Sequence, residues 1–147
     1  METRTTDPSK REKSYEVNKR LYKLTIVGGV AFWAANFAIS LTPIAAEYRA
    51  ALSISYLPMI VESLLGGLII GLCVSYFLIR SFNVIPTENP ILKSVILSFI
   101  ALAIIEAISI LIDLSKDPFY LFIGAVINVP RFLALGIVIG YLYDRLH

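Results

Sequence analysis

Four stretches, residues 24–46, 55–79, 91–112 and 119–143, stay apolar over lengths that match a lipid bilayer. A hydrocarbon core of ~30 Å is crossed by about 20 residues of helix, and each stretch exceeds that. Inside lipid the backbone N–H and C=O groups have no water to bond, so only helices or closed barrels satisfy them. Barrel strands would read as short segments of alternating polarity, and these runs do not alternate. The expectation is an all-α fold, an integral membrane four-helix bundle that forms one domain over residues 24–147.

The remaining residues agree with that solvent. Of 147 residues, 57% are apolar and 16% charged, a balance that suits lipid better than water. Cys73 is the single cysteine and His147 the single histidine, so neither a disulfide framework nor a zinc site can be assembled. No cofactor or metal motif is present, no His, Cys, Ser-His or clustered aspartate set sits at a predicted interface, Glu106 and Asp113 seven residues apart on one face are a weak signal, and the chain is not expected to be an enzyme.

Charge placement sets an expected orientation. Arg4, Lys10, Arg11, Lys13, Lys19, Arg20 and Lys23 crowd the first 23 residues, ahead of the first span. With the N-terminus inside, these join Arg80, Lys93 and Arg145 on the cytoplasmic face, against Arg49 and Lys116 outside. Both ends are therefore expected in the cytoplasm and the protein in the cell membrane. The basic run is longer than the leading region of a signal peptide, so the first span is read as an uncleaved anchor. Residues 1–23 form a basic tail expected to be partly disordered and drawn to anionic lipid. Glu2, Asp7, Glu12 and Glu16 interrupt it, and without a stacking platform it is not read as a nucleic-acid arm.

Local signals mark two helix starts. Asn89-Pro90 and Asp117-Pro118 each place a capping side chain ahead of a proline at the first helical position, where the missing N–H is harmless.

Three charges fall inside the spans: Glu62, Glu106 and Arg131. Insertion scales put such a residue at roughly 2.5 to 3.5 kcal/mol at a helix centre, so each should turn toward protein. Counted at 1.5 Å per residue, both glutamates lie ~10 Å below the outer surface, and Arg131, deeper at ~20 Å, leans outward. An intramembrane salt bridge between Arg131 and Glu106 is expected, with Glu62 as second partner and Asn36 and Asn128 completing the cluster. Two carboxylates against one guanidinium leave negative charge over, which predicts a bound proton, cation or amine.

Small residues recur elsewhere. Ser63, Gly67, Gly71 and Ser75 repeat every four residues on the second span, and Gly136 and Gly140 do so on the fourth. Such stripes let two helix backbones approach closely, within one chain or between protomers. The expected function is that of a structural, binding or accessory membrane component. Its expected partners are membrane lipids and a homo-oligomer or partner subunit. The alternative is a transporter or channel component that binds a cation, proton or small solute at Glu62, Glu106 and Arg131.

Overall fold

The computed structural model describes residues 7–115 and 117–146. It holds five helices and no strand among them: α1 (Pro8–Ser40), α2 (Pro43–Ala51), α3 (Tyr56–Arg80), α4 (Pro90–Ile112) and α5 (Pro118–Arg145). Four of these, α1, α3, α4 and α5, are long and apolar enough to cross a membrane. They pack as an up-down-up-down bundle in the ring order α1, α3, α4, α5, with α3 against α4 the sparsest of the neighbouring seams.

One capping chemistry starts four of the helices. Asp7, Thr42, Asn89 and Asp117 each accept a hydrogen bond from a backbone N–H in the first turn, and each precedes a proline. Backbone orphans at a helix start are met by the side chain, and proline has none to lose.

Two boundaries differ from the expected ones. The first helix begins at Pro8 because Asp7 caps it, Oδ1 accepting from Ser9 N at 3.1 Å. The basic segment from residue 8 to 23 is thus helical, a continuation of the span; Met1 to Thr6 lie outside the described residues. The same helix stops at Ser40 rather than running to residue 46. Thr42 is held extended ahead of Pro43, and Pro43 opens the separate helix α2. A 33-residue α1 is ~50 Å long, so it outreaches a hydrocarbon core by ~20 Å.

The turn from α2 into α3 reverses the chain through Ser53, whose φ of 54° is left-handed. Ser53 and Ile54 return their N–H groups to Ala50 and Arg49 carbonyls, so the end of α2 is closed by backbone.

Glycines set the helix spacing. A Cβ on Gly67 would meet Gly29 O at 3.0 Å and Phe32 at 2.9 Å, and one on Gly71 would meet Thr25 O at 3.0 Å, so the small stripe of α3 lies against α1. Ser75, on the same stripe, is fully buried and Ser63 half-buried. Gly136 and Gly140 lie against Val95, Ser98 and Ile91 of α4. Between them sit Leu24, Phe32, Val74, Leu78, Leu102, Phe132, Leu135 and Ile139, with Phe32 edge-on to Phe132 at 5.4 Å.

These contacts run α1 and α5 antiparallel to α3 and α4 respectively, which brings one end of the bundle into focus. Residues 8–23, Arg80, the 81–89 loop, Lys93 and Arg145 share it. The other end carries α2 and the α4–α5 turn. Lys116, assigned to that turn, lies outside the described residues.

Candidate functional site

Beneath α2 the bundle holds a chain of polar side chains. Glu106 comes from the face of α4 that Ser98 and Leu102 also share, the face packed on α5. Asn128 and Arg131 stand three residues apart on α5 and so occupy one face. Asn128 Nδ2 donates to Glu106 Oε1 at 2.8 Å, and Arg131 Nη1 donates to Asn128 Oδ1 at 3.0 Å.

The expected salt bridge is therefore replaced by a relay. Asn128, with a donor on one side of its amide and an acceptor on the other, stands between carboxylate and guanidinium. The relay links Arg131 to Glu106 without direct contact, and a guanidinium with five N–H donors keeps some of them uncommitted. Its Nε is sealed from solvent and has no partner.

Glu62 does not join this cluster. It is exposed, and no hydrogen bond or ion pair among the described residues engages it. The reason is helical phase: the small stripe of α3 is drawn onto α1, and Glu62 lies about 180° from Gly71. Glu62 instead shares a face with Gly66, Ile69 and Cys73. That face borders an apolar groove of about 450 Å³ between α3 and α4, whose other wall includes Ala101 and Ile104. A Cβ on Gly66, on the same face as Glu62, would meet nothing within 4 Å.

Asn36, only 1% exposed, is buried in α1 with neither amide atom hydrogen-bonded. It lies one turn deeper than Ser40 on the same face. An unmade pair of this kind costs about 1–3 kcal/mol per group.

Two residues between the first two expected spans complete the site. Tyr48 and Arg49 project from α2. Tyr48 lays its hydroxyl against α5, where a Cβ on Gly124 would meet it at 2.9 Å. Burial and then the nearby charge of Glu106 raise its phenol above the ordinary value, with Arg131 opposing, so the hydroxyl keeps its proton and remains a donor. Arg49 Nη1 donates to Ser40 O at 3.2 Å, and its guanidinium lies 5.2 Å from the Tyr56 ring centre. The signal for them was present: Thr42-Pro43 repeats the cap-and-proline pattern of the other helix starts.

Together these elements enclose a cavity of about 150 Å³ roofed by α2 and lined by Ser40, Tyr48, Arg49, Met59, Ile127 and Arg131. Its charge is the reverse of the expected one. Glu62 has left and Arg49 has entered, so two guanidiniums stand against one carboxylate that is already hydrogen-bonded. Below it Phe132, Leu135 and Ile139 pack against Phe32 and fill the interior. No group of His, Cys, Asp and Glu among the described residues is placed to hold a metal.

No known protein family matches the chain, and no curated protein or solved structure does.

Proposed function

We propose that the chain is a small multi-pass protein of the cell membrane that acts as a binding or accessory component, with the cavity under α2 as its binding centre. One observation carries this: the guanidinium of Arg131, with its Nε unpartnered, and the unpartnered amide of Asn36 lie toward the α2 end, where a cavity is walled by two arginines; the buried hydroxyls of Ser75 and Ser94, also unpartnered, belong to the packed seams nearer the other end. Scaffolding alone would be served as well by apolar residues, since replacing a buried ionic network with them is often neutral or stabilising.

In this reading both ends of the chain lie in the cytoplasm and the cavity lies on the outer side. The grouping of Arg80, Lys93, Arg145 and the basic α1 extension at one end supports this orientation. Passage of a solute through a single chain is disfavoured by the apolar packing below the cavity, so binding is preferred to transport.

Glu62 supports the accessory part of the reading. An ionised carboxylate turned toward lipid is unfavourable by about 3 kcal/mol, and a basic group on a partner's transmembrane helix would relieve that cost.

Labelling from one side tests the centre and the orientation together. In a Cys73→Ser background, Ser40→Cys should react with a membrane-impermeant maleimide added outside intact cells. Reaction only after denaturation means a dry, closed interior and sinks the binding reading. Reaction only from the cytoplasmic side reverses the orientation.

A further inference from the structure

The cavity under α2 also carries a statement about what it takes, which rests on reading it as a binding centre. We infer that it holds a tetrahedral oxyanion, a phosphate group borne by a lipid headgroup or by a free solute.

Charge decides the sign of the ligand. Arg49 and Arg131 reach the cavity from α2 and α5, no described carboxylate lines it, and Glu106 beside it is already bonded by Asn128. A cation would face two guanidiniums, whereas an anion would complete them.

Donor geometry decides the class. Guanidiniums present planar forks that match the oxygens of phosphate and carboxylate, and hydrogen bonds to an ionised acceptor are about twice as strong as neutral ones. A carboxylate offers two oxygens and one fork can take both. Two forks on separate elements, with the protonated Tyr48 hydroxyl beside them, suit an acceptor with oxygens in several directions. Arg49 is held in place for this by Ser40 O and the Tyr56 ring.

Size decides how much of the ligand enters. A cavity of about 150 Å³ equals roughly five waters at ~30 Å³ each, well short of the ~300 Å³ or more of a drug-sized site. One headgroup-sized anion fits, and anything attached to it stays outside. The rim provides for that: Ile44 on the roof and Leu41 just before it are exposed and apolar, a surface suited to acyl chains.

The experiment uses the full chain purified in an uncharged maltoside detergent, with bound molecules counted by native mass spectrometry. Three probes are titrated: phosphatidylglycerol, diacylglycerol with the same acyl chains, and inorganic phosphate. Phosphatidylglycerol should bind at one per chain and diacylglycerol should not. Arg49→Gln, at the edge of the fold, should weaken binding about tenfold and Tyr48→Phe about threefold, as expected for a charged and a neutral donor. Arg131→Met should abolish it, and Arg49→Gln keeps the test sound if that variant does not fold. Retention of phosphatidylglycerol but not free phosphate assigns a membrane lipid as the source, and equal affinity for both assigns a soluble one. Equal binding of diacylglycerol, or no loss with Arg49→Gln, overturns the inference. A cavity that admits the maleimide at Ser40→Cys yet binds neither phosphate probe overturns the ligand class alone, while one closed to the maleimide removes the binding centre itself.

Discussion

The two ends of the bundle bury cations in opposite ways. At the end bearing the 81–89 loop, Lys93 is only 4% exposed, yet its ammonium donates to Phe82 O and lies 3.5 Å from the Phe82 ring centre. Phe82 is in turn stacked on Tyr143 at 5.0 Å. The ammonium is thereby held by a carbonyl and a ring, although the buried hydroxyls of Ser94 and Ser75 nearby have no partner. At the α2 end Arg131 is tied only to Asn128, has an unpartnered Nε, and looks onto a cavity. A buried charge whose demands are met locally holds structure together; one left partly unmet, where space remains, is poised for something from outside.

The glycine contacts give the largest expected effect and test whether the loop end is as rigid as this contrast requires. Gly140→Leu would drive a side chain into Ile91 and the Pro90 carbonyl, both backbone, and should cost about 3 kcal/mol or more, enough to lose the monodisperse folded chain in gel filtration. Gly66→Leu, facing open space, should leave the melting temperature almost unchanged. Similar behaviour of the two variants would erase the distinction.

Next in size is the relay. Asn128→Leu strands both Glu106 and Arg131 and should destabilise by roughly 2 to 3 kcal/mol in a denaturant titration. Replacing all three, with Glu106→Leu and Arg131→Met added, should recover most of that loss, because no member of the relay is then left alone. A triple variant as unstable as the single one would mean that the relay holds the helices in register, like Lys93, and the contrast would narrow.

Lys93→Met should be milder, about 1 to 2 kcal/mol, since it removes one hydrogen bond and one cation–aromatic contact while keeping the apolar stem. Thermal melts of that variant calibrate what a satisfied buried cation contributes.

The smallest effect concerns Tyr48. Its phenol is raised, chiefly by burial, so the folded state keeps a proton that the unfolded chain releases near pH 10. Whatever stability follows is fully present below pH 10 and is lost as pH rises through the folded value. Tyr48→Phe should change stability at pH 7 by less than about 1 kcal/mol and should remove a phenol that titrates above the ordinary value from an ultraviolet titration. Loss of a phenol that titrates at the ordinary value instead would place the Tyr48 hydroxyl in open water, outside the site.

How far the site could be read in advance depended on the kind of information each residue carried. Asn128 and Arg131, three apart on one helix, were bound to share a face, and Glu106 lay at a compatible depth. Glu62 lay at the same depth and differed only in azimuth, which depends on the side of α3 that α1 claims. Tyr48 and Arg49 were within reach of the cap-and-proline pattern, but an apolar run that continues through Ala46 hides a helix break at residue 41. The start of α1 was masked likewise, because the charges of residues 8–23 suggest a tail, while Asp7 and Pro8 begin a helix there.

Hydrophobic length and local capping chemistry thus determined, from the amino-acid order alone, that four helices of membrane-spanning length exist and where two of them start. These properties are local, so they follow from one segment at a time. The sign of the buried charge was decided only by tertiary structure. Rotation of α3 by its glycine contacts sends Glu62 outward, and the folding back of α2 brings Arg49 and Tyr48 over Arg131. Both are relations between segments, and hydrophobicity does not distinguish one azimuth of a helix in lipid from another as strongly as close packing does.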